Sequence, residues 1–458
     1  MSAEIGSPLI SVTWKKTLEP IPELSMKWAT IDMKKQFWFY VEPYVHLSCK
    51  ANDCLLYNTL TGKALIYWDD PDIAGLVRRL SSARNSRVIR LDSSDLGKKR
   101  ISTFVEDVRD YFIGDVLDTA FSSAKPVQMV HMPKIQKDIK QLKKEEGRSV
   151  GEGELEYLSD VSFYINTECR ENCPGCRGYL RQFLCCTQSI HKKQEMTPST
   201  LAHLLSQIEG SPVSRINILG GNIFLHSNLH SVVGILKAKP REVAFYLHYS
   251  HIAGPNARMD LLNFDAARYQ VMVTPPYSEG LFASARDKIV GHESRTTFVF
   301  VVRSDEDIQQ AKDMIQFCGT ASYLLKPYYT GKNDNFFQQS VFMDLEDILN
   351  ARPTHKEIYA NQVLNRLNFG RLTVMSNGKV YANRNHPSLG TWKKDSIRQI
   401  LYKEMYHGKS WRRTRLKVKP CRHCILAALC PPLGNYEFAL KRNDLCHVRG
   451  KMKRVTTD

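Results

Sequence analysis

A regular alternation of strand-like and helix-like segments between residues 160 and 328 constrains the fold of this chain more than any other feature. Six runs rich in β-branched and aromatic residues predict strands. They are residues 161–166, 215–220, 242–249, 269–274, 296–302 and 322–328. After the first interval they recur about every 26 residues, the period of a strand followed by a helix. The sequence therefore predicts an α/β fold with a parallel sheet, curved as a partial (β/α)6 TIM-like barrel, whose reactive groups lie where strands end.

The length and composition indicate a globular protein of more than one domain. The chain has 458 residues, of which 43% are apolar, so two or three domains are expected. The first twenty residues contain no sustained apolar run, and no stretch is as apolar as a membrane span. We therefore predict a cytoplasmic protein with no membrane partner, whose thiols stay reduced. Seven of the twelve cysteines lie in motif spacing, which favours metal ligands over disulfides.

The chain is strongly basic. Its formal net charge is +17, and the lysine and arginine residues are concentrated in residues 134–144 and in the last fifty residues. A basic protein attracts acidic partners, such as nucleic acid, anionic lipid or an acidic peptide. A solvated basic face that aids solubility is the alternative, and net charge does not separate the two.

Local patterns in the N-terminal part predict strands followed by helices. Residues 37–48 and 54–68 are rich in aromatic and apolar strand formers. Asp70, followed by proline, predicts the capped start of a helix. Residues 88–92 predict another strand, and residues 102–121 predict one longer helix.

These patterns divide the chain into four predicted parts. Residues 1–130 form an N-terminal α+β domain of winged-helix-like character, and residues 131–154 form a charged linker. Residues 155–350 form the partial barrel, and residues 351–458 form a cysteine-rich domain. Within the last part, residues 369–383 predict a hairpin with Asn-Gly as its two-residue turn.

A first cysteine group, with C-x3-C-x2-C spacing, follows the first predicted strand of the barrel. Three thiolates on a tight loop, Cys169, Cys173 and Cys176, can bind three irons of a cubane iron–sulfur cluster. The fourth iron is then open to a substrate or cofactor, as the fourth position of a catalytic zinc site is. A zinc site or redox thiols are the alternatives, and zinc needs Cys185 or Cys186 as a fourth ligand. We expect those two cysteines to be buried helix residues instead.

The spacing of this group, its place after a first strand and the six strand–helix units resemble the radical SAM superfamily. The resemblance implies that Cys169, Cys173 and Cys176 bind a 4Fe–4S cluster. It also implies that S-adenosylmethionine chelates the open iron and is cleaved by electron transfer to a 5′-deoxyadenosyl radical. The cofactor then supplies the chemistry and the protein directs it.

The glycine-rich turn after the second predicted strand resembles a second motif of that superfamily. Gly220, Gly221 and Asn222 stand where the family has Gly-Gly-Glu, which meets the amino group of S-adenosylmethionine. The resemblance implies that these three residues bind the cofactor. The sequence departs from the family at Asn222, which lacks a carboxylate, and at Gly175, where the family has an aromatic residue that shields adenine. Both departures concern cofactor binding.

A second cysteine group near the C-terminus has C-x2-C-x5-C-x15-C spacing. Its members are Cys421, Cys424, Cys430 and Cys446. The group resembles the SPASM extension of peptide-modifying radical SAM enzymes. The resemblance implies one auxiliary 4Fe–4S cluster with four thiolate ligands, because Ala382, Asp395 and Gly434 stand where the cysteines of another cluster are expected. A four-cysteine zinc site is the alternative.

Two further stretches indicate a function. Residues 217–224, "NILGGNIF", and residues 429–437, "LCPPLGNYE", resemble a Bacteroidales-type branch of SPASM maturases of ribosomally synthesised peptides (RiPPs), which includes pseudo-radical-SAM members. The resemblance implies a radical SAM enzyme that modifies a ribosomally synthesised precursor peptide and receives electrons from a reductant protein. The N-terminal domain would recognise the precursor by adding it as a strand to a sheet edge.

Two other functions remain open at this point. A catalytically silent relative would bind the precursor peptide and present it to a partner maturase. An RNA-modifying radical SAM enzyme is suggested by the basic charge, but the sequence has no evident RNA-binding module, so we do not expect a nucleic-acid partner. No acid–base catalytic residue is identified.

Overall fold

The computed structural model describes residues 35–128, 144, 153–171, 173–187, 193–320 and 322–448. Most of the predicted linker 131–154 lies outside the described residues. The basic segment 134–144, apart from residue 144, and the end of the basic tail lie outside them too.

Fifteen strands are found in the described residues. They are β1 (Gln36–Val41), β2 (Val45–Lys50), β3 (Asp53–Asn58), β4 (Ala64–Tyr67), β5 (Val88–Asp92), β6 (Gly114–Asp118), β7 (Asp160–Tyr164), β8 (Arg215–Leu219), β9 (Glu242–His248), β10 (Ala267–Val273), β11 (Thr296–Val302), β12 (Tyr323–Pro327), β13 (Arg371–Met375), β14 (Lys379–Tyr381) and β15 (Gly390–Thr391).

Fifteen α-helices are found in the same residues. They are α1 (Pro71–Ser81), α2 (Ser93–Leu96), α3 (Lys99–Asp110), α4 (Cys176–Gln182), α5 (Pro198–Gln207), α6 (Leu229–Lys237), α7 (Tyr249–Ala253), α8 (Met259–Leu262), α9 (Glu279–Asp287), α10 (Asp305–Cys318), α11 (Asp334–Val341), α12 (Leu345–Asn350), α13 (His355–Val363), α14 (Ile397–His407) and α15 (Asn435–Leu440). None of the helices in the described part of the chain combines the length and the apolar character that a membrane crossing requires.

The N-terminal part contains two three-stranded sheets, with strand orders β5-β1-β6 and β2-β3-β4. Helix α1 begins as predicted, because the Asp70 carboxylate accepts a hydrogen bond from the Ile73 N–H at 3.0 Å. Its apolar side chains pack in one core with β1, β3, β5 and α3.

The prediction of one long helix over residues 102–121 is wrong. Helix α3 ends at Asp110, Phe112 adopts a positive φ of 52°, and the chain then forms β6. Gly114 begins that strand, and a Cβ there would lie less than 3.0 Å from the Tyr40 carbonyl oxygen. The backbone N–H and C=O groups of residues 114–118 form hydrogen bonds with β1 instead of bonds within a helix. This pairing with a distant strand replaces the last turns of the predicted helix.

The main sheet has nine strands in the order β12-β11-β10-β9-β8-β7-β13-β14-β15. Strands β7 to β12 are parallel neighbours in chain order, which confirms the six predicted strands. The sheet is open within the described residues, since β12 and β15 are its two edges. Its curvature as a partial barrel stays a prediction.

The sheet continues beyond residue 350, where we predict a domain boundary. Strand β13 pairs in parallel with β7, and β13 and β14 form the predicted hairpin, with Gly378 at a φ of 99° in its turn. The boundary stays a prediction, but the C-terminal part shares one sheet with the predicted barrel.

Candidate functional site

The first cysteine group lies between the carboxyl end of β7 and helix α4. Cys169 and Cys173 are in the connecting loop, and Cys176 is the first residue of α4. The Cys176 N–H donates to the Cys173 carbonyl at 3.1 Å, so the two residues share a tight turn. All three side chains are partly buried and free of disulfides. The group therefore occupies the edge of a parallel sheet where reactive groups are expected.

The three thiols interact electrostatically with one another and with Cys186. The pKa of Cys169 and that of Cys173 are each raised to about 12, chiefly by burial and then by the neighbouring thiols of Cys186 and Cys176. Without a cation the thiols of Cys169 and Cys173 therefore keep their protons at neutral pH. A metal centre would displace those protons and turn the group into thiolate ligands.

Cys185 and Cys186 are buried as predicted, but they are not in a helix. Helix α4 ends at Gln182, and Phe183 takes an extended backbone with a φ of −152°. The two cysteines follow in a loop, and the Tyr164 hydroxyl donates to the Cys185 carbonyl at 3.1 Å. This change of direction brings Cys186 beside the first group.

Two histidines that the sequence analysis missed face the thiols. The His251 Nε2 lies 3.3 Å from the Cys169 sulfur, and the His248 Nε2 lies 3.8 Å from the Cys173 sulfur. His251, in α7, is 2% exposed, and His248, at the end of β9, is 4% exposed. Their position at the carboxyl end of a predicted strand is the signal that could have identified them.

The hydrogen bonds of the two histidines indicate which ring nitrogen carries the proton. The His248 N–H donates to the His251 Nδ1, and the Ser250 N–H donates to the His248 Nδ1, both at 3.4 Å. Burial lowers the pKa of His248 to about 4 and that of His251 well below its usual value, so both rings are neutral. Because Nδ1 accepts, the proton is assigned to Nε2. In His251 this nitrogen faces the Cys169 sulfur, whereas in His248 its nearest partner is the Thr274 hydroxyl oxygen at 2.9 Å.

The glycine pair after β8 is packed against the cysteine loop. A Cβ on Gly220 would lie less than 3.0 Å from the Asn166 side-chain oxygen, and one on Gly221 less than 3.0 Å from the Glu168 carbonyl oxygen. The Gly221 N–H also donates to the Asn166 carbonyl at 3.2 Å. Both glycines are therefore required for the close approach of two backbone segments.

Asn222 is buried beside the same loop, and its polar groups have partners within the protein. Its N–H donates to the Glu168 carbonyl at 2.6 Å, and its carbonyl accepts from the Asn166 amide at 2.7 Å. Its side-chain oxygen accepts from the Phe224 N–H at 3.0 Å and caps the short 3-10 helix Ile223–Leu225. Asn222 thus has a local structural role.

Gly175 is covered by an aromatic cluster. A Cβ there would lie less than 3.0 Å from the ring of Tyr179, which is 2% exposed. That ring stacks on Phe183 with centroids 5.6 Å apart and meets Tyr328 edge-on at 4.5 Å. A side chain at position 175 would overlap the ring of Tyr179 in its present position.

The second cysteine group also comes together in space. The Cys430 thiol interacts electrostatically with those of Cys424, Cys421 and Cys446, so the four form one cluster. Burial raises the pKa of Cys424 to about 11 and also raises those of Cys421 and Cys430. The neighbouring His423 is exposed.

The donors of both cysteine groups are thiols. Within the described ranges, no three His, Cys, Asp or Glu side chains are gathered as the ligands of one metal ion would be. The first group offers three thiols with two imidazole N–H groups, and the second offers four thiols. Both sets of donors fit a thiolate-bound metal centre.

No family model matches this chain, and no curated protein matches it. The chain is similar to crystal structures of SuiB from Streptococcus suis. The structure bound to the precursor peptide SuiA is 13% identical, with a TM-score of 0.44, and the match covers 90% of this chain and 99% of that one. The structures of SuiB alone and bound to S-adenosylmethionine are each 12% identical, cover 89% of this chain and 100% of that one, and have TM-scores of 0.45 and 0.46.

Proposed function

We propose that this chain is a radical S-adenosylmethionine enzyme that modifies a ribosomally synthesised peptide. Cys169, Cys173 and Cys176 would hold a 4Fe–4S cluster with one open iron, and the second cysteine group would hold an auxiliary 4Fe–4S cluster. The observation that carries the proposal is the convergence of the three thiols at the carboxyl end of a parallel sheet.

The residues around the first group suit such a cluster. Three thiolates would bind it, and the Nε2–H group of His251 would donate to the Cys169 sulfur. The cluster supplies, when bound, the electron that cleaves S-adenosylmethionine. Gly220 and Gly221 keep the backbone after β8 close to the cysteine loop. The aromatic residues around Tyr179 exclude water from one side of the group.

The N-terminal domain would bind the precursor peptide. The sheet β5-β1-β6 has two edges at which an extended peptide can add a strand. At the β5 edge, the Arg79 guanidinium donates to the Arg90 carbonyl at 3.0 Å, so that backbone acceptor already has a side-chain partner.

A second candidate function is supported by the turn after β8 and by Gly175. The Asn222 side-chain oxygen caps a 3-10 helix, and no carboxylate is present at that position. The place above Gly175 is filled by Tyr179. These two features favour a catalytically silent protein that presents the precursor peptide to a partner maturase.

Cofactor cleavage distinguishes the two functions. Anaerobically reconstituted protein is expected to contain about eight irons per chain if two cubane clusters form. With reductant and S-adenosylmethionine, the enzyme should produce 5′-deoxyadenosine, measured by liquid chromatography and mass spectrometry. Two filled clusters without this product would support the silent presenter.

Replacement of one ligand tests the assignment. Cys173→Ala should abolish 5′-deoxyadenosine formation and remove about four irons, because a cubane cluster is lost with its ligand. Cys49→Ala removes another partly buried thiol and should change neither value. Continued cleavage by the Cys173→Ala protein would show that the cluster ligands are wrongly assigned.

A further inference from the structure

We infer that Arg415 is the charge-compensating residue of the second cysteine group. Its buried guanidinium donates a hydrogen bond to the Cys421 sulfur and places a fixed positive charge beside the four thiolates of a metal centre.

Arg415 contacts three segments that surround the group. It lies in the short 3-10 helix Arg415–Lys417, and its side chain is 7% exposed. The Nε donates to the Pro431 carbonyl at 2.5 Å, and Nη1 donates to the Glu437 carboxylate at 2.6 Å. The same Nη1 lies 3.7 Å from the Cys421 sulfur. These contacts hold the guanidinium plane against the thiol cluster.

The charge of the group explains why a cation is needed. The negative charge of four thiolates exceeds the positive charge of a zinc ion or of a cubane iron–sulfur core. The bound centre therefore has a net negative charge with either metal. A buried net charge is unfavourable unless an opposite charge lies close to it. Arg415 interacts electrostatically with Cys421, Cys424 and Cys430.

The neighbouring basic residues do not serve this purpose. Arg422 and His423 are next to the ligands in sequence, but both are exposed, and the Arg422 Nε donates to the His423 ring at 2.8 Å. Charges that face water are screened and contribute little to a buried centre.

Glu437 offers a simpler explanation, in which Arg415 only neutralises a buried carboxylate. The carboxylate is already held from the other side, because its second oxygen accepts from the Gly434 N–H at 2.7 Å. An ion pair alone would not require the contact between Arg415 and the Cys421 sulfur. We therefore interpret Glu437 as the residue that orients the guanidinium.

This inference rests only on the part of the proposed function that places a metal centre at the second group, whichever metal it is. If the parent protein binds no metal at that group, both the proposed auxiliary centre and the inference are wrong. Absence of S-adenosylmethionine cleavage would leave the inference unaffected.

The test measures metal retention in the full chain. Alanine at Cys169, Cys173 and Cys176 forms the parent background, so that bound metal reports the second group alone. Anaerobically purified protein is mixed with a chromogenic chelator for iron or zinc, and the release rate is followed by absorbance. Arg415→Met should release metal about 10- to 100-fold faster, the usual effect of losing a residue that supports metal ligands. Release at the parental rate would overturn the inference.

A double variant separates the two roles of Arg415. Arg415→Met with Glu437→Gln removes both buried charges, so it relieves any cost of an unpaired carboxylate. Fast metal release should persist in this variant. If the double variant regains the parental rate, Arg415 serves only Glu437 and the inference is wrong.

Two further variants complete the set. Arg422→Met removes the same charge from an exposed position beside Cys421 and should release metal at the parental rate. Arg415→Lys keeps the charge without the planar fork and should release metal faster than the parent, by a smaller factor than Arg415→Met. If Arg415→Met does not fold, Arg415→Gln replaces it as the neutral variant, and a parental release rate in Arg415→Gln overturns the inference.

Discussion

At the residue scale, the environment of the first cysteine group is set by two buried imidazoles. His248 and His251 are neutral. The His251 Nε2–H is directed toward the Cys169 sulfur, and the His248 Nε2 lies 2.9 Å from the Thr274 hydroxyl oxygen. Hydrogen bonds to thiolate sulfur stabilise negative charge on the ligands, and the reduced state of a cluster carries more of that charge. His251 would therefore tune the reduction potential of the cluster that we propose the three cysteines bind.

The potential of the first cluster tests this role. His251→Leu removes the N–H that faces Cys169, so the midpoint potential should fall by on the order of 50 mV, about a tenfold change in a one-electron equilibrium. Electron paramagnetic resonance during a redox titration measures the shift. The exposed His203, replaced by leucine, is the control and should leave the potential unchanged. An unaltered potential in His251→Leu would refute the hydrogen bond to the ligand.

At the element scale, the cysteine loop depends on the turn that follows the neighbouring strand. The loop after β7 and the turn after β8 approach so closely that Gly220 and Gly221 leave no room for a Cβ. Parallel strands bring these two connections to the same edge of the sheet. The cysteine loop is thus positioned by contacts with a segment about 50 residues away in sequence.

Alanine substitution at two glycines distinguishes a closely packed position from one with free space around it. Gly221→Ala places a methyl group against the Glu168 carbonyl and should lower the free energy of unfolding by about 1–3 kcal/mol. Gly234→Ala, in helix α6 with no atom within 4 Å of the new methyl group, should be neutral or stabilising by up to about 1 kcal/mol. Urea denaturation measures both. Equal stabilities would contradict the close approach of the two segments.

At the scale of the whole molecule, the second cysteine group lies in a core shared by the two ends of the chain. Leu55 and Tyr57 of β3 pack with Ile425, Leu426 and Leu429 from the segment between the cysteines. Alternate residues of β3 face the N-terminal core instead, as the two-residue period of a strand requires. A metal centre in the tail would therefore also stabilise the N-terminal sheet β2-β3-β4.

Hydrogen exchange tests this coupling. Leu426→Ala removes a fully buried side chain from the shared core and should cost about 2–5 kcal/mol. Amide exchange should become faster in β3 and in the tail, but not in β8 to β11. Leu60→Ala, at a side chain that is 73% exposed, should change neither region. Faster exchange in the tail alone would show that the two ends are not coupled.

The sequence by itself determined the six parallel strands, the capped start of α1, the hairpin at Gly378 and the cysteine spacing of both groups. Each of these is encoded by neighbouring residues, because strand and helix periods and turn preferences act over a few positions. The tertiary structure determined the features that depend on contacts between residues far apart in sequence. It ended the long predicted helix at Asp110 and joined β13 to β7. It also placed two histidines and Arg415 against the thiols. Such contacts join residues far apart in sequence, and no local pattern specifies them.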